Sequence, residues 1–186
     1  MALKMSGGTG LLDAAALLKR VGIKQGDIVV EFGCGTSGHL VFPAAHLVGP
    51  SGRVYAVDIL KSVLSAMASR RKMEGVDNVE VMWSDLERPG ALKLADQSAD
   101  LVVLLHIVGQ VYGKETMLRE AGRILKANGA VLVADWVMTA TPLGPPLEKR
   151  LAPEAMRQLA VRAGWEVAEE FGAGKYHWAM ILTKKK

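Results

Sequence analysis

The residues with the clearest chemical content lie in one stretch, Glu31-Phe32-Gly33-Cys34-Gly35-Thr36-Ser37-Gly38. Glycines 33, 35 and 38 have the G-x-G-x-x-G spacing, and Asp58 follows Gly38 by twenty residues. Glycines let a backbone turn approach a ligand closely, and a carboxylate at that distance grips ribose hydroxyls. The spacing implies a nucleoside-containing cofactor. The glycines alone leave its identity open, and a nicotinamide-dependent oxidoreductase uses the same loop.

The elements that must hold these residues follow from the hydrophobic period, which switches repeatedly between strand-like and helix-like. Residues 28–32, 53–59, 79–84, 99–107 and 130–136 read as strands, and 11–21, 39–48, 61–74, 114–126 and 154–163 as helices. Segment 99–107 is apolar throughout and is expected at the centre of the sheet. Asn128-Gly129 reads as the turn into the fifth strand, and 140–153 as a loop rich in proline and glycine. The last two strands, 165–171 and 177–183, are too close for a crossover helix and must form an antiparallel hairpin. This predicts an α/β fold, a mostly parallel sheet with one antiparallel edge strand and helices on both faces. Ligands of such sheets bind beyond the carboxyl ends of the strands. Glu31, Asp58 and Asp85 sit at three successive strand ends of that kind.

The 186 residues, 50% of them hydrophobic and 23% charged, fit one folded domain. They exclude a disordered tail protein and a disulfide-rich scaffold. The domain is expected to span 1–186, with a flexible arm at 1–9, a loop at 139–153 that covers the site, and a solvated lysine tail at 184–186. That tail supplies most of the net charge of +4, so nucleic acid is not a favoured partner. The single cysteine, Cys34, reads as a small loop residue, and four scattered histidines offer no metal-binding spacing, so no metal is expected. The apolar run at 101–111 falls short of a membrane span, and a soluble, cytoplasmic protein is expected.

The glycine loop then becomes more specific. Val30-Glu31-Phe32-Gly33-Cys34-Gly35-Thr36 resembles the first motif of class I S-adenosylmethionine-dependent methyltransferases. Val57-Asp58-Ile59 and Trp83-Ser84-Asp85-Leu86 resemble their second and third motifs, and Asp100-Leu101-Val102-Val103 through His106 their fourth strand. The run Leu118-Arg119-Glu120-Ala121-Gly122-Arg123-Ile124-Leu125-Lys126-Ala127-Asn128-Gly129-Ala130 is similar to the branch containing quinone-biosynthesis (type 11) enzymes. The resemblance implies a Rossmann-like seven-stranded sheet in the order 3-2-1-4-5-7-6, its last strand antiparallel. It also implies S-adenosylmethionine as cofactor and S-adenosylhomocysteine as product. Within it, Glu31 would orient the loop and the methionine amino group. Gly33, Gly35, Thr36 and Gly38 would form the loop, Asp58 would accept from both ribose hydroxyls, and Ile59 would lie on the adenine. Asp85 would accept its exocyclic amine with Leu86 alongside, and His106 would face the methionine end.

Topology nominates the acceptor side. His106 ends the fourth strand, Asp135 and Trp136 end the fifth, and Tyr176 and His177 lie in the final hairpin turn. Either a small molecule under the loop or a protein side chain at an open site satisfies this arrangement. Lys149 and Arg150 are expected to be solvated, with attraction of an anionic acceptor as the alternative role. A non-catalytic partner that keeps the fold is the remaining reading, and the oligomeric state is open.

Overall fold

The computed structural model of the chain describes residues 11–185. The strands are β1 (Ile28–Phe32), β2 (Arg53–Asp58), β3 (Val79–Trp83), β4 (Ala99–Leu105), β5 (Leu125–Trp136), β6 (Trp165–Gly172) and β7 (His177–Lys184). The helices are α1 (Ala14–Arg20), α2 (Val41–Val48), α3 (Lys61–Glu74), α4 (Lys114–Ile124) and α5 (Pro153–Arg162). They surround one seven-stranded sheet of order β3-β2-β1-β4-β5-β7-β6. β1 to β5 are mutually parallel, and β7 runs antiparallel to both β5 and β6.

Alternation along each strand feeds two cores. Val29 and Val103 pack with Leu18, Phe42 and Met67 of α1 to α3, whereas Val30, Phe32 and Val102 pack with Met117, Leu118 and Met156 of α4 and α5. The central strands β1 and β4 are buried almost throughout, as their unbroken apolar runs require.

Four details differ from the sequence reading. The antiparallel strand is not at the edge: β7 carries six consecutive buried residues and so needs a neighbour on each side, while β6 alternates buried and open positions and takes the edge. Asn128-Gly129 is not a free turn but part of a bulge inside β5. The pairing jumps from Ala99↔Leu125 to Leu101↔Ala130, and a side chain at Gly129 would stand 2.8 Å from the Asp100 carbonyl. The first helix begins at Ala14 because Asp13 caps it, accepting from the Ala16 N–H at 2.9 Å. Lys184 belongs to β7 and donates to the Leu125 carbonyl at 2.6 Å, so the solvated tail does not begin there. The arm expected at 1–9 and Lys186 lie outside the described residues.

Candidate active site

The glycine loop leaves β1 at the carboxyl edge of the sheet and opens onto a cleft of about 290 Å³. Gly33, Gly35, Asp58, Ile59, Asp85 and Leu86 line it, all of them nominated from the sequence. Ser84 on the β3 side, and Leu105, Ile107 and Gln110 on the β4 side, line it as well and were not nominated. The β4 contributors carry no chemical signature in the sequence. They reach the cleft because β4, distant in the chain, pairs directly with β1.

The three glycines do different work. A side chain at Gly35 would meet no atom within 4 Å, so this position faces open space, at φ +60. A Cβ on Gly33 would stand 2.7 Å from Ile107. Gly38, at φ +50, is not at the cleft: a Cβ there would lie 2.8 Å from both Met67 and Phe42, so this glycine admits close packing of α2 and α3. Thr36 is exposed and likewise does not line the cleft.

The three acids are also in different states. Asp58 is buried, with one carboxylate oxygen accepting from Gly35 N–H at 3.2 Å and the other from Leu60 N–H at 2.9 Å. Asp85 accepts from Glu87 N–H at 3.1 Å and pairs with the Arg88 guanidinium at 3.2 Å. Glu31 lies behind the loop, 2% exposed, with Oε2 lacking any partner among the described residues. Burial pushes its carboxyl up to about 8, with the Val41 backbone pulling weakly the other way. The Cys34 thiol is held far above its ordinary value by burial, then by Glu31 and Asp58, which leaves it inert at neutral pH.

β4 is followed directly by His106, a non-glycine residue at φ +56. Its N–H donates to the Ala134 carbonyl at 2.9 Å and its own carbonyl accepts from Gln110 Nε2 at 2.6 Å, which holds the strained backbone in place. The ring stacks on Trp136 at 5.2 Å and lies 4.9 Å from His177, while Trp136 and His177 are 4.3 Å apart. His106 Nε2 and both His177 nitrogens make no hydrogen bond among the described residues. Burial first, then His177 and His39, lower His106 to about 4, and burial also lowers His177. Both imidazoles are therefore neutral at pH 7. Of the four histidines that looked scattered in the sequence, two join the ring cluster and His39, beside Gly38, is close enough to be felt by both, while His46 stays on α2 against the Phe42 carbonyl.

Asp135 is buried beside the cluster, accepts from Trp136 N–H at 2.7 Å, and is pushed up to about 6 by burial. Tyr176 is half-buried; its carbonyl accepts from Val137 N–H at 2.9 Å and the Lys175 ammonium lies 5.4 Å over its ring. None of His106, Asp135, Tyr176 and His177 lines the cleft itself.

Segment 137–150 is pinned from within. Arg150 is buried rather than solvated, and its guanidinium donates to the carbonyls of Pro145, Val137, Thr139 and Leu143 and to Thr141 Oγ1 at 2.8 to 3.0 Å. All five donors of the fork are used, and none is left for an anionic acceptor. The loop also presses on the ring cluster: a Cβ at Gly144 would lie 2.6 Å from the Trp136 ring. Lys149 remains exposed.

Comparison with known proteins adds the following. A family described as "Methyltransferase domain" matches residues 23–183. A ubiquinone/menaquinone biosynthesis C-methyltransferase, UbiE, of Pseudomonas fluorescens is 34% identical over 133 residues, 71% of this chain and 50% of the relative. An arsenite methyltransferase of Halobacterium salinarum is 30% identical over 115 residues, 62% of this chain and 28% of the relative. The chain spans about half the length of the quinone-biosynthesis relatives it matches. A solved S-adenosylmethionine-dependent methyltransferase of Aquifex aeolicus superposes with a TM-score of 0.88 at 25% identity, covering 94% of this chain and 90% of that one.

Proposed function

We propose an acceptor for this chain, which belongs to the class I S-adenosylmethionine-dependent methyltransferases: a small, apolar, ring-bearing molecule whose nucleophile meets the His106–Trp136–His177 face. Family membership sets aside the nicotinamide reading of the glycine loop. The donor set suits the cofactor. Each Asp58 oxygen holds one backbone N–H and keeps a lone pair for a ribose hydroxyl. Gly35 leaves space for close approach, and the unpartnered Glu31 carboxyl, held protonated by burial, would give up its proton on pairing with an ammonium.

S-adenosylmethionine, when bound, supplies a methyl carbon already activated by its sulfonium. The chain's own residues are left with positioning and water exclusion. The observation that carries the acceptor assignment is the ring cluster under an internally pinned loop. Stacked aromatic faces favour a flat apolar ring, and unpartnered neutral imidazole nitrogens can accept a hydrogen bond from a ring hydroxyl. A loop held by five guanidinium bonds supports a small molecule over a protein side chain, which would need the site open. Of the acceptors named for the relatives, a quinone-type ring fits this surface. Arsenite is a soft centre that calls for thiolates, and the sole cysteine is buried and protonated.

The test is transfer of tritium from methyl-labelled S-adenosylmethionine to three probes: 1,4-naphthoquinol, arsenite and a mixed peptide library. Label in the organic extract with the quinol, reduced by His106→Ala, is the expected result. Label only on arsenite or on peptides would refute the assignment. Silence with all three, in a protein that binds S-adenosylhomocysteine, would instead make the chain a non-catalytic partner.

A further inference from the structure

We propose that Gln110 is a positioning residue whose side-chain amide fixes the backbone that aims the His106 ring, an inference that rests on the acceptor meeting the His106–Trp136–His177 face. A ring's direction follows its Cα–Cβ bond, and the rigid peptide planes on either side of the Cα set that bond. At His106 each plane is held by one hydrogen bond. Its N–H donates to the Ala134 carbonyl at 2.9 Å, and its carbonyl accepts from Gln110 Nε2 at 2.6 Å. The first bond continues the pairing of β4 with β5, whereas the second comes from a side chain. The backbone here, at φ +56, is one that residues other than glycine seldom adopt, and it persists only where its surroundings over-determine it. With the carbonyl released, extended backbone becomes the lower state and carries the ring away from its 5.2 Å stack on Trp136.

The segment that presents Gln110 is itself well fixed. Its N–H donates to the Ile107 carbonyl at 2.9 Å, closing a turn over 107–110. Val108 anchors that turn in the core beneath α4 and α5, and Ile107 packs on Gly33 of the cofactor loop. A Cβ at Gly109 would stand 3.3 Å from the Lys149 carbonyl, so the turn also rests against the pinned loop. The turn therefore touches the cofactor loop, the pinned loop and the ring cluster at once, and the Gln110 side chain ties its end back to His106.

Gln110→Met keeps the side-chain length but cannot donate, and Gln110→Glu sets an acceptor against the carbonyl. Gln110 is exposed, so both variants should fold. Proton–carbon NMR of the full chain with ring-labelled histidine tests them without ligand, His106 being the signal lost in His106→Ala. In wild type, burial first, then His177 and His39, keep this ring neutral down to about pH 4, so its signal should stay fixed from pH 5 to 8. In both variants the ring should titrate nearer the ordinary 6.5 and lose the ring-current shift of Trp136. A glutamine that only stabilised the turn would lower the melting temperature and leave the His106 signal in place. With 1,4-naphthoquinol, kcat/KM should fall roughly ten- to hundredfold in Gln110→Met. Adding His106→Ala should deepen that loss little, because both changes remove one function. An unmoved, untitrated His106 signal in both variants, or losses that multiply in the double variant, would overturn the proposal. A wild type inert toward the quinol, whose Gln110 variants still release His106, would count against the acceptor and keep Gln110 as the residue that sets the ring.

Discussion

Replacing Glu31 by glutamine removes a buried carboxyl whose proton the fold holds up to about pH 8, against an ordinary value of 4.5. Between those values the unfolded chain has released that proton and the folded chain has not. The folded state then binds more protons, and stability falls as pH rises through the window. Each pH unit inside it removes about 1.4 kcal/mol, so going from pH 5 to pH 7 should cost wild type about 3 kcal/mol from this group alone. Glutamine has the same shape and no proton to hold. Urea unfolding of both proteins at pH 5, 6, 7 and 8 isolates the effect, because other titrating groups, Asp135 and His106 among them, are common to both. The gap in unfolding free energy should shift by about 3 kcal/mol in favour of Glu31→Gln between pH 5 and 7, and level off above 8. Parallel curves would show that the carboxyl is already ionised in the fold and refute the reasoning. In the same variant, affinity for S-adenosylhomocysteine should fall while stability at pH 7 rises, the combination expected of a group kept for its ligand.

Arg150→Ala should cost about 2–3 kcal/mol in urea unfolding, from lost charge-assisted bonds to the loop. It should also speed amide exchange across 137–149; unchanged exchange there would mean the loop is held by something else. The two loop glycines should separate: Gly35→Ala bears only the left-handed backbone strain, about 1–2 kcal/mol, and weakens S-adenosylhomocysteine binding. Gly38→Ala should lose more stability, because its methyl group meets Met67 and Phe42 at 2.8 Å. Equal stability losses would place Gly38 in looser packing than described.

Much of this molecule is written in short-range patterns. The alternation of periods sets the order of strands and helices, and the four-residue link before His177 forces a hairpin. The motif acids at 31, 58 and 85 come to neighbouring strand ends because a parallel βαβ chain returns each strand to the same edge. Such features depend on residues near one another in sequence, so they are legible there. Sheet order decides the rest. Whether β7 sits at the edge depends on burial along both of its faces, and whether Asn128-Gly129 turns or bulges depends on its pairing with β4. His106, Trp136 and His177 stand far apart in the chain and become one cluster only because β5 lies between β4 and β7. Arg150 shows the same limit. A lysine-arginine pair after two prolines reads as solvated charge, and only the path of 137–150 gathers the carbonyls that bury the guanidinium. Local propensity and turn chemistry determine the elements and the cofactor loop; which distant side chains meet is decided by the sheet that brings them together.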